Sequence, residues 1–133
     1  RSLVAQIVGC DAGYKLYHDH CLIKQPWASP TNWHTDQQMD PYWDPRATML
    51  WVSLDDADAT NGALCFLPGT QREARREAPT SIDEGFGDEG IGAMLLARPE
   101  WAQIDPTCVY CRPGDAILID PMVAHAAVRG TAR

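Results

Sequence analysis

The sequence predicts an all-β domain, either a sandwich or a barrel, and three observations support this fold class. The apolar periodicity is mostly of period two and short, as in strands whose alternate side chains face a core. Turn-forming pairs punctuate the chain, most clearly Asn61-Gly62, Pro68-Gly69 and Pro113-Gly114. Helical periodicity is sparse, and many short strands with little helix are typical of sandwiches and barrels.

The first half of the chain contains three runs that predict strands. Leu3 to Val8 is an apolar run that ends at Gly9. Tyr14 to Lys24 alternates between polar and apolar residues until Gln25-Pro26 stops it. Ala47 to Leu54 is almost continuously apolar, which predicts a strand buried on both faces.

The second half contains three further predicted strands and two short helices. Asn61-Gly62 is a strong turn signal, and Ala63 to Leu67 after it forms a strand that Pro68-Gly69 closes. Two further strands are predicted at Thr107–Cys111 and Asp115–Ile119; the Pro113-Gly114 turn joins them, and they are expected to pair with each other. Helical turns are predicted at Gln71–Ala78 and Ala93–Arg98. The acidic, glycine-rich stretch 81–92 is predicted to be a loop.

Size and charge restrict the classes of partner. The 133 residues are enough for one domain with a core but few for two. The formal net charge of −7 repels phosphate backbones, so no nucleic-acid partner is expected. No run approaches the roughly 18 apolar residues of a membrane span, so no membrane partner is expected either. Nothing in the sequence indicates an oligomeric state.

The first residues and the cysteines predict the extent of the domain and the compartment in which the protein is found. The chain begins with Arg1 and not Met, and its first apolar run does not resemble a secretory signal. We therefore expect a single domain over residues 1–133, taken from a longer protein. Four of the five cysteines lie in or beside apolar runs, which predicts free, buried thiols in a reducing, cytoplasmic compartment. The cysteines are Cys10, Cys21, Cys65, Cys108 and Cys111.

Two histidines and one carboxylate form a candidate metal site. His34 and Asp36 stand two residues apart, so in an extended segment both side chains point the same way. A divalent ion needs a further ligand, and His125, after a later predicted strand, can become a neighbour in a rolled antiparallel sheet. Two histidines and a carboxylate on one face of an octahedron are typical of non-haem Fe(II) oxygenases, with three positions open for substrate and O₂.

Spacing alone leaves alternatives to this site. An isolated His-x-Asp pair occurs by chance, and a histidine in an apolar setting such as that of His125 is usually a hydrogen-bonded core residue. The same ligand types suit catalytic zinc. His18 and His20, also two residues apart, form another possible pair.

Five motifs in order resemble the phytanoyl-CoA dioxygenase family. They are YHDHCLIKQP at 17–26, WHTD at 33–36, NGALCFLPGT at 61–70, PGD at 113–115, and His125. The resemblance runs from about residue 14 to 128. It implies a double-stranded β-helix, a jelly roll of the cupin kind, which we expect to be truncated here at both ends.

The resemblance also implies a site and a reaction. His34, Asp36 and His125 are the implied Fe(II) ligands, and 2-oxoglutarate is the implied co-substrate. In such enzymes O₂ converts 2-oxoglutarate to succinate and CO₂ and hydroxylates a C–H bond of a small organic substrate. Related halogenases have a small residue in place of the carboxylate, so Asp36 favours hydroxylation over halogenation.

The family resemblance also implies that three residues of this chain contact 2-oxoglutarate. His20 matches a position near 2-oxoglutarate, and Trp51 matches a pocket tryptophan in some members or packs in the core. An arginine about ten or eleven residues after the second histidine usually holds the far carboxylate. Either a shortened loop lets Arg133 serve or that arginine lies on a further strand, and the second explanation is favoured. Gln71 replaces a family histidine.

Two other functional classes remain open on the sequence. A non-catalytic cupin-like domain would keep the fold without binding 2-oxoglutarate, and the unplaced arginine keeps this alternative open. A mononuclear zinc hydrolase is disfavoured because no general base is evident beside His34 and Asp36.

Overall fold

The computed structural model describes residues 3–9, 14–36, 44, 46–74 and 92–127. Six short antiparallel strands build the two sheets of this part of the chain and its helices are few and short, which confirms the all-β prediction. The elements in chain order are α1 (Leu3–Val8), β1 (Thr31–His34), β2 (Met49–Val52), β3 (Leu64–Phe66), α2 (Thr70–Ala74), α3 (Gly92–Ala97), a 3₁₀ helix (Trp101–Gln103), β4 (Thr107–Val109), β5 (Ala116–Ile119) and β6 (His125–Ala127). Among them, no helix is both long enough and apolar enough to cross a membrane.

The strands form two sheets. One has four strands in the order β1-β6-β3-β4, and the other has two strands, β2 and β5. All pairings are antiparallel, and β6 pairs with both β1 and β3. The last strand of the described chain therefore lies between an early strand and a middle strand, as in a rolled sheet.

A small core adjoins the segment that leads into β6. Its buried members are Leu67, Trp101, Met122 and Ala124, and Trp33 of β1 packs against them. The indole Nε1 of Trp101 donates a hydrogen bond of 2.6 Å to Glu73, which satisfies the polar atom of a buried aromatic side chain. The core thus includes or contacts the residues directly before the two predicted histidine ligands, Trp33 and Ala124.

The turn signals of the middle segment are confirmed. β3 begins after Asn61-Gly62 and ends before Pro68-Gly69, as predicted. Short helices occur near both predicted positions, as α2 and α3. The part of the first predicted helix beyond Ala74, and the predicted loop up to residue 91, lie outside the described residues.

The predicted strand at Leu3–Val8 is wrong, because these residues form α1. A short apolar run without strict alternation fits a helix or a strand equally well. Gly9 ends the helix with a φ of 71°, and its N–H donates to the carbonyl of Ala5 at 3.1 Å. This is the left-handed cap at which helices commonly end.

The predicted strand at Tyr14–Lys24 is also wrong, because none of these residues belongs to a strand. The predicted stop after it is confirmed by a turn in which the N–H of Ala28 donates to Gln25 at 3.0 Å. Leu22 and Ile23 are largely exposed. Alternation marks a segment able to pair, but a strand also requires a neighbour, and no described strand pairs with this one.

The predicted strand at Ala47–Leu54 forms, but it is shorter and is not buried on both faces. It corresponds to β2, whose residues alternate between half-buried and exposed. Leu50 is 53% exposed and Val52 is 44% exposed. Leu50 and Val52 stand two residues apart on the strand and so project to the same face of this small sheet, which is largely exposed.

The two strands around Pro113-Gly114 do not pair with each other as predicted. β4 pairs with β3, whereas β5 pairs with β2 in the other sheet. The chain changes sheets here, since the N–H of Gly114 donates to Ser53 at 2.8 Å and Cys111 exchanges two backbone hydrogen bonds with Ala57. A turn signal shows where a strand ends but not which sheet the next strand joins.

The prediction of free thiols is wrong for two of the cysteines. Cys65 on β3 and Cys108 on β4 are directly opposite and form a disulfide. Cys111 is free and buried, as predicted, whereas Cys21 is free but exposed; Cys10 lies outside the described residues. The pairing depends on the register of two strands distant in sequence, which cysteine spacing does not reveal.

Gly62 is expected to resist substitution. Its φ of 112° lies in a region that residues with a side chain rarely adopt, and an added Cβ would stand 2.8 Å from Cδ of Lys24. Gly62→Ala should therefore lower the free energy of unfolding by about 1–3 kcal/mol, measured by urea denaturation. The double variant Lys24→Ala/Gly62→Ala should recover only part of this loss. Full recovery would contradict the backbone explanation.

Candidate metal centre

Two neighbouring strands bring the predicted histidine ligands together. His34 is the last residue of β1, His125 is the first residue of β6, and the two are register partners. Opposite residues of an antiparallel pair project to the same face of the sheet. Asp36 follows His34 by two residues, so its carboxylate can return to that face.

The three side chains converge on a single point. Nε2 of His34 lies 3.7 Å from Oδ1 of Asp36, and Nε2 of His125 lies 3.6 Å from the same oxygen. One ligand atom from each residue falls within a group no wider than 4.8 Å. Within the described ranges, no other group of three potential ligands of this kind is found.

Backbone carbonyls orient both imidazoles. Nδ1 of His34 lies 2.7 Å from the carbonyl oxygen of Asn32, and Nδ1 of His125 lies 3.0 Å from that of Val123. In each case the acceptor belongs to the residue two positions earlier. With Nδ1 donating its proton, Nε2 presents a lone pair toward Asp36, which is the tautomer that a metal ligand needs.

Asp36 provides the test of whether a cation fits this arrangement. Its Oδ2 is buried and has no hydrogen-bond partner. A carboxylate oxygen in this condition is costly unless a cation or a donor meets it. Two neutral imidazole nitrogens and a carboxylate are ligands that divalent transition metals accept. The residues present therefore fit a divalent metal.

Burial influences the titration of His125. The residue is 3% exposed, and desolvation lowers its pKa from 6.5, with a further lowering by His34 and an opposing effect of the Asp36 carboxylate. The ring of Phe66, 5.9 Å away between centroids, adds to its apolar surroundings. The imidazole is therefore predominantly neutral at neutral pH, as a metal ligand must be.

The metal-free protein is expected to lose stability as the pH falls below about 6.5. Between the lowered folded-state pKa of His125 and its unfolded value, the unfolded chain binds more protons, so the free energy of unfolding rises with pH. Urea denaturation from about pH 5 to about pH 8 measures this slope. His125→Gln should flatten it, and an unchanged slope in that variant would contradict the assignment to His125.

Of the three predicted co-substrate contacts, His20 and Trp51 lie among the described residues. His20 is exposed and its ring stacks on that of His18, with 5.6 Å between centroids. Trp51 is half-buried on β2 and pairs with Ile117, in the sheet that does not carry the histidine ligands. Arg133 lies outside the described residues.

Sequence reasoning missed the side chains that support His125. Phe66 is its register partner on β3, and the hydroxyl of Thr70 bonds to the backbone of the preceding residue, Ala124. Both residues lie within the NGALCFLPGT motif. Treating that motif as a strand and turn beside a ligand strand, and not only as a mark of family, could have identified them.

The sequence matches the family model described as Phytanoyl-CoA dioxygenase (PhyH) over residues 1–131. It is 31% identical over 109 residues to Phytanoyl-CoA dioxygenase domain-containing protein 1 of Mus musculus, covering 78% of this chain and 36% of that protein. It is 26% identical over 94 residues to the probable alpha-ketoglutarate-dependent hypophosphite dioxygenase of Stutzerimonas stutzeri, covering 70% and 31%. The chain thus spans about a third of the length of these relatives.

Solved structures show the same fold. SnoK, a non-heme alpha ketoglutarate dependent carbocyclase from nogalamycin biosynthesis, has a TM-score of 0.63 and 22% identity, covering 82% of this chain and 41% of that one. EvdO2 from Micromonospora carbonacea var. aurantiaca, complexed with 2-oxoglutarate, has a TM-score of 0.52 and 23% identity, covering 82% and 43%. These neighbours have a jelly-roll fold, so the predicted double-stranded β-helix is confirmed.

Proposed function

Because the chain belongs to the phytanoyl-CoA dioxygenase family, we propose that it is a non-haem Fe(II)- and 2-oxoglutarate-dependent dioxygenase. It hydroxylates a C–H bond of a small organic substrate, and one oxygen atom of O₂ enters the product while the other enters succinate. His34, Asp36 and His125 hold the iron. Residues 1–133 form one oxygenase core domain.

The geometry of the three ligands is the observation that carries this proposal. Both histidines direct Nε2 toward one oxygen of Asp36, and the second oxygen of that carboxylate is buried without a partner. Two histidines and one carboxylate leave three positions of an octahedron open. A bidentate co-substrate and O₂ together need three positions.

The protein's own residues orient and shield the site. Iron, when bound, supplies the activation of O₂ for decarboxylation of 2-oxoglutarate and oxidation of the substrate. The carbonyls of Asn32 and Val123 hold the two imidazoles in place. Burial of His125 beside Phe66 keeps water from that side of the site. Asp36 occupies a ligand position with a carboxylate, which favours hydroxylation over halogenation.

An anaerobic titration tests the proposal. Fe(II) is added to the metal-free protein and then 2-oxoglutarate, and the weak metal-to-ligand charge-transfer band of the chelate is expected. In chloride-free buffer, Asp36→Ala should show no band, whereas Asp44→Ala, which removes an exposed carboxylate paired with Arg46, should retain it. Iron binding without a band would instead support a non-catalytic cupin-like domain. A preference for zinc with hydrolytic turnover would also contradict the proposal.

The proposal includes contacts of His20, Trp51 and Arg133 with 2-oxoglutarate. Arg133 is the residue to test first, because a guanidinium can hold the far carboxylate of 2-oxoglutarate through two hydrogen bonds. If it does so, Arg133→Gln should weaken 2-oxoglutarate binding by about tenfold or more, measured by anaerobic calorimetry on the Fe(II) protein. Iron affinity should not change. Unaltered 2-oxoglutarate affinity would remove Arg133 from the site.

A further inference from the structure

We propose that Thr70 is a positioning residue for the metal ligand His125, acting through the peptide group between Val123 and Ala124. This inference rests on the metal site of the proposed function and extends it to a residue that is not one of the three ligands. The side chain of Thr70 stands at the start of α2 and is 1% exposed. Its hydroxyl is therefore shielded from bulk solvent.

The Thr70 hydroxyl makes two hydrogen bonds. It donates to the carbonyl of Leu67 at 2.8 Å and accepts from the N–H of Ala124 at 2.9 Å. The backbone N–H of Leu67 in turn donates to the carbonyl of Ala124 at 2.9 Å. The segment Leu67–Thr70 therefore holds the N–H and the carbonyl of Ala124, the residue directly before His125.

The N–H of Ala124 and the carbonyl of Val123 belong to the same peptide unit. A peptide unit is planar, and in the trans form its N–H and C=O point in opposite directions. Thr70 holds the N–H, and the imidazole Nδ1 of His125 bonds to the carbonyl oxygen at 3.0 Å. Fixing the plane of this peptide from one side therefore fixes the acceptor that orients the imidazole on the other side.

The hydrogen bonds also form a chain that ends on the ligand. From the carbonyl of Leu67 it runs through the Thr70 hydroxyl and the Val123–Ala124 peptide to the His125 imidazole. Hydrogen bonds in series polarise one another, which makes the peptide carbonyl a better acceptor. A stronger bond at Nδ1 makes Nε2 a better metal ligand. Thr70 thus acts on both the direction and the basicity of Nε2.

Three variants separate this role from general packing. Thr70→Val keeps the volume and removes the hydroxyl, whereas Thr70→Ser keeps the hydroxyl and removes only a methyl group. The matched control is Thr48→Val, because the Thr48 hydroxyl also bonds to a distant backbone carbonyl, that of Ile119 at 3.2 Å, in the sheet without histidine ligands. Stability of each metal-free protein is measured by urea denaturation.

The principal readout is the affinity of the metal-free protein for Co(II), followed by absorption. Thr70→Val should weaken Co(II) binding by about tenfold, the lower end of the range for residues that support a metal ligand. Thr70→Ser should stay within about threefold of the original protein, and Thr48→Val should be unchanged. A second readout needs no metal: the nitrogen NMR shifts of His125 should show mixed tautomers in Thr70→Val and one tautomer in Thr70→Ser.

Defined results would overturn the inference. One is unchanged Co(II) affinity in Thr70→Val. The other is an equal loss of Co(II) affinity in Thr70→Val and Thr48→Val when the two variants have the same free energy of unfolding. If Thr70→Val does not fold, Thr70→Ser decides, because a folded serine variant with more than tenfold weaker binding contradicts a role for the hydroxyl. Failure of the proposed metal site can be told apart from failure of the Thr70 role. If the site itself is wrong, His34→Ala in the protein with Thr70 intact would leave Co(II) affinity unchanged.

Discussion

In chloride-free buffer, Asp36→Ala is expected to weaken Fe(II) binding by at least about a hundredfold, the upper end of the range for residues that only support a metal ligand. Oδ1 of Asp36 is the atom toward which both imidazoles point, and it supplies the only negative charge among the three ligands. Without it, the ion would have two neutral nitrogen ligands from the protein. Anaerobic titration with Fe(II), followed by metal analysis after desalting, measures the loss.

Two further variants complete the test of Asp36. His34→Ala should have a similar effect, because it removes a second ligand of the same ion. Asp44→Ala should bind iron normally, since an exposed ion pair such as that of Asp44 with Arg46 contributes little to the stability of the fold. Normal binding in Asp36→Ala and in His34→Ala would place the metal elsewhere, with the stacked pair His18 and His20 as the next candidate.

Leu67→Ala is expected to lower the free energy of unfolding by about 2–5 kcal/mol. Leu67 is 2% exposed and packs in the core with Trp101 and Met122, so truncation removes buried apolar surface and leaves a cavity. Urea denaturation of the metal-free protein measures the change. A loss of this size is comparable to a large part of the stability of a typical domain.

Leu54→Ala is the matched control, because Leu54 is 77% exposed and its truncation should change stability by less than about 0.5 kcal/mol. Equal losses in the two leucine variants would contradict the position of the core. Leu67→Ala should also weaken Co(II) binding, since the backbone of Leu67 bonds to Ala124 beside the ligand His125. Unaltered Co(II) affinity in a strongly destabilised protein would show that the site does not depend on this core.

Turn chemistry was the most informative local signal for the fold. β3 begins after Asn61-Gly62 and ends before Pro68-Gly69, as predicted. A positive φ at a glycine depends on only a few neighbouring residues, so the local sequence is enough to predict such a turn. The errors occurred where the outcome depends on distant partners. Tyr14–Lys24 alternates like a strand, yet no described strand pairs with it, and Leu3–Val8 has the composition of either element.

The disulfide illustrates the same limit within the sheet. Cys65 and Cys108 are far apart in the chain, and they meet only because β3 and β4 pair in a register that places them opposite one another. Neither spacing nor apolar context contains that register. The prediction of free thiols followed from local composition, and tertiary pairing overrode it.

The sequence by itself determined the identity of the candidate ligands. The two-residue spacing of His34 and Asp36 places their side chains on one face of an extended segment, and the motif order singles out His125 among the remaining histidines. Only the tertiary structure decided that the three side chains converge, because β6 pairs with β1 across most of the chain and brings both Nε2 atoms near Oδ1 of Asp36. Tertiary pairing also brought Thr70 against Ala124, a contact that no local pattern contains, since it depends on which strands meet and in which register.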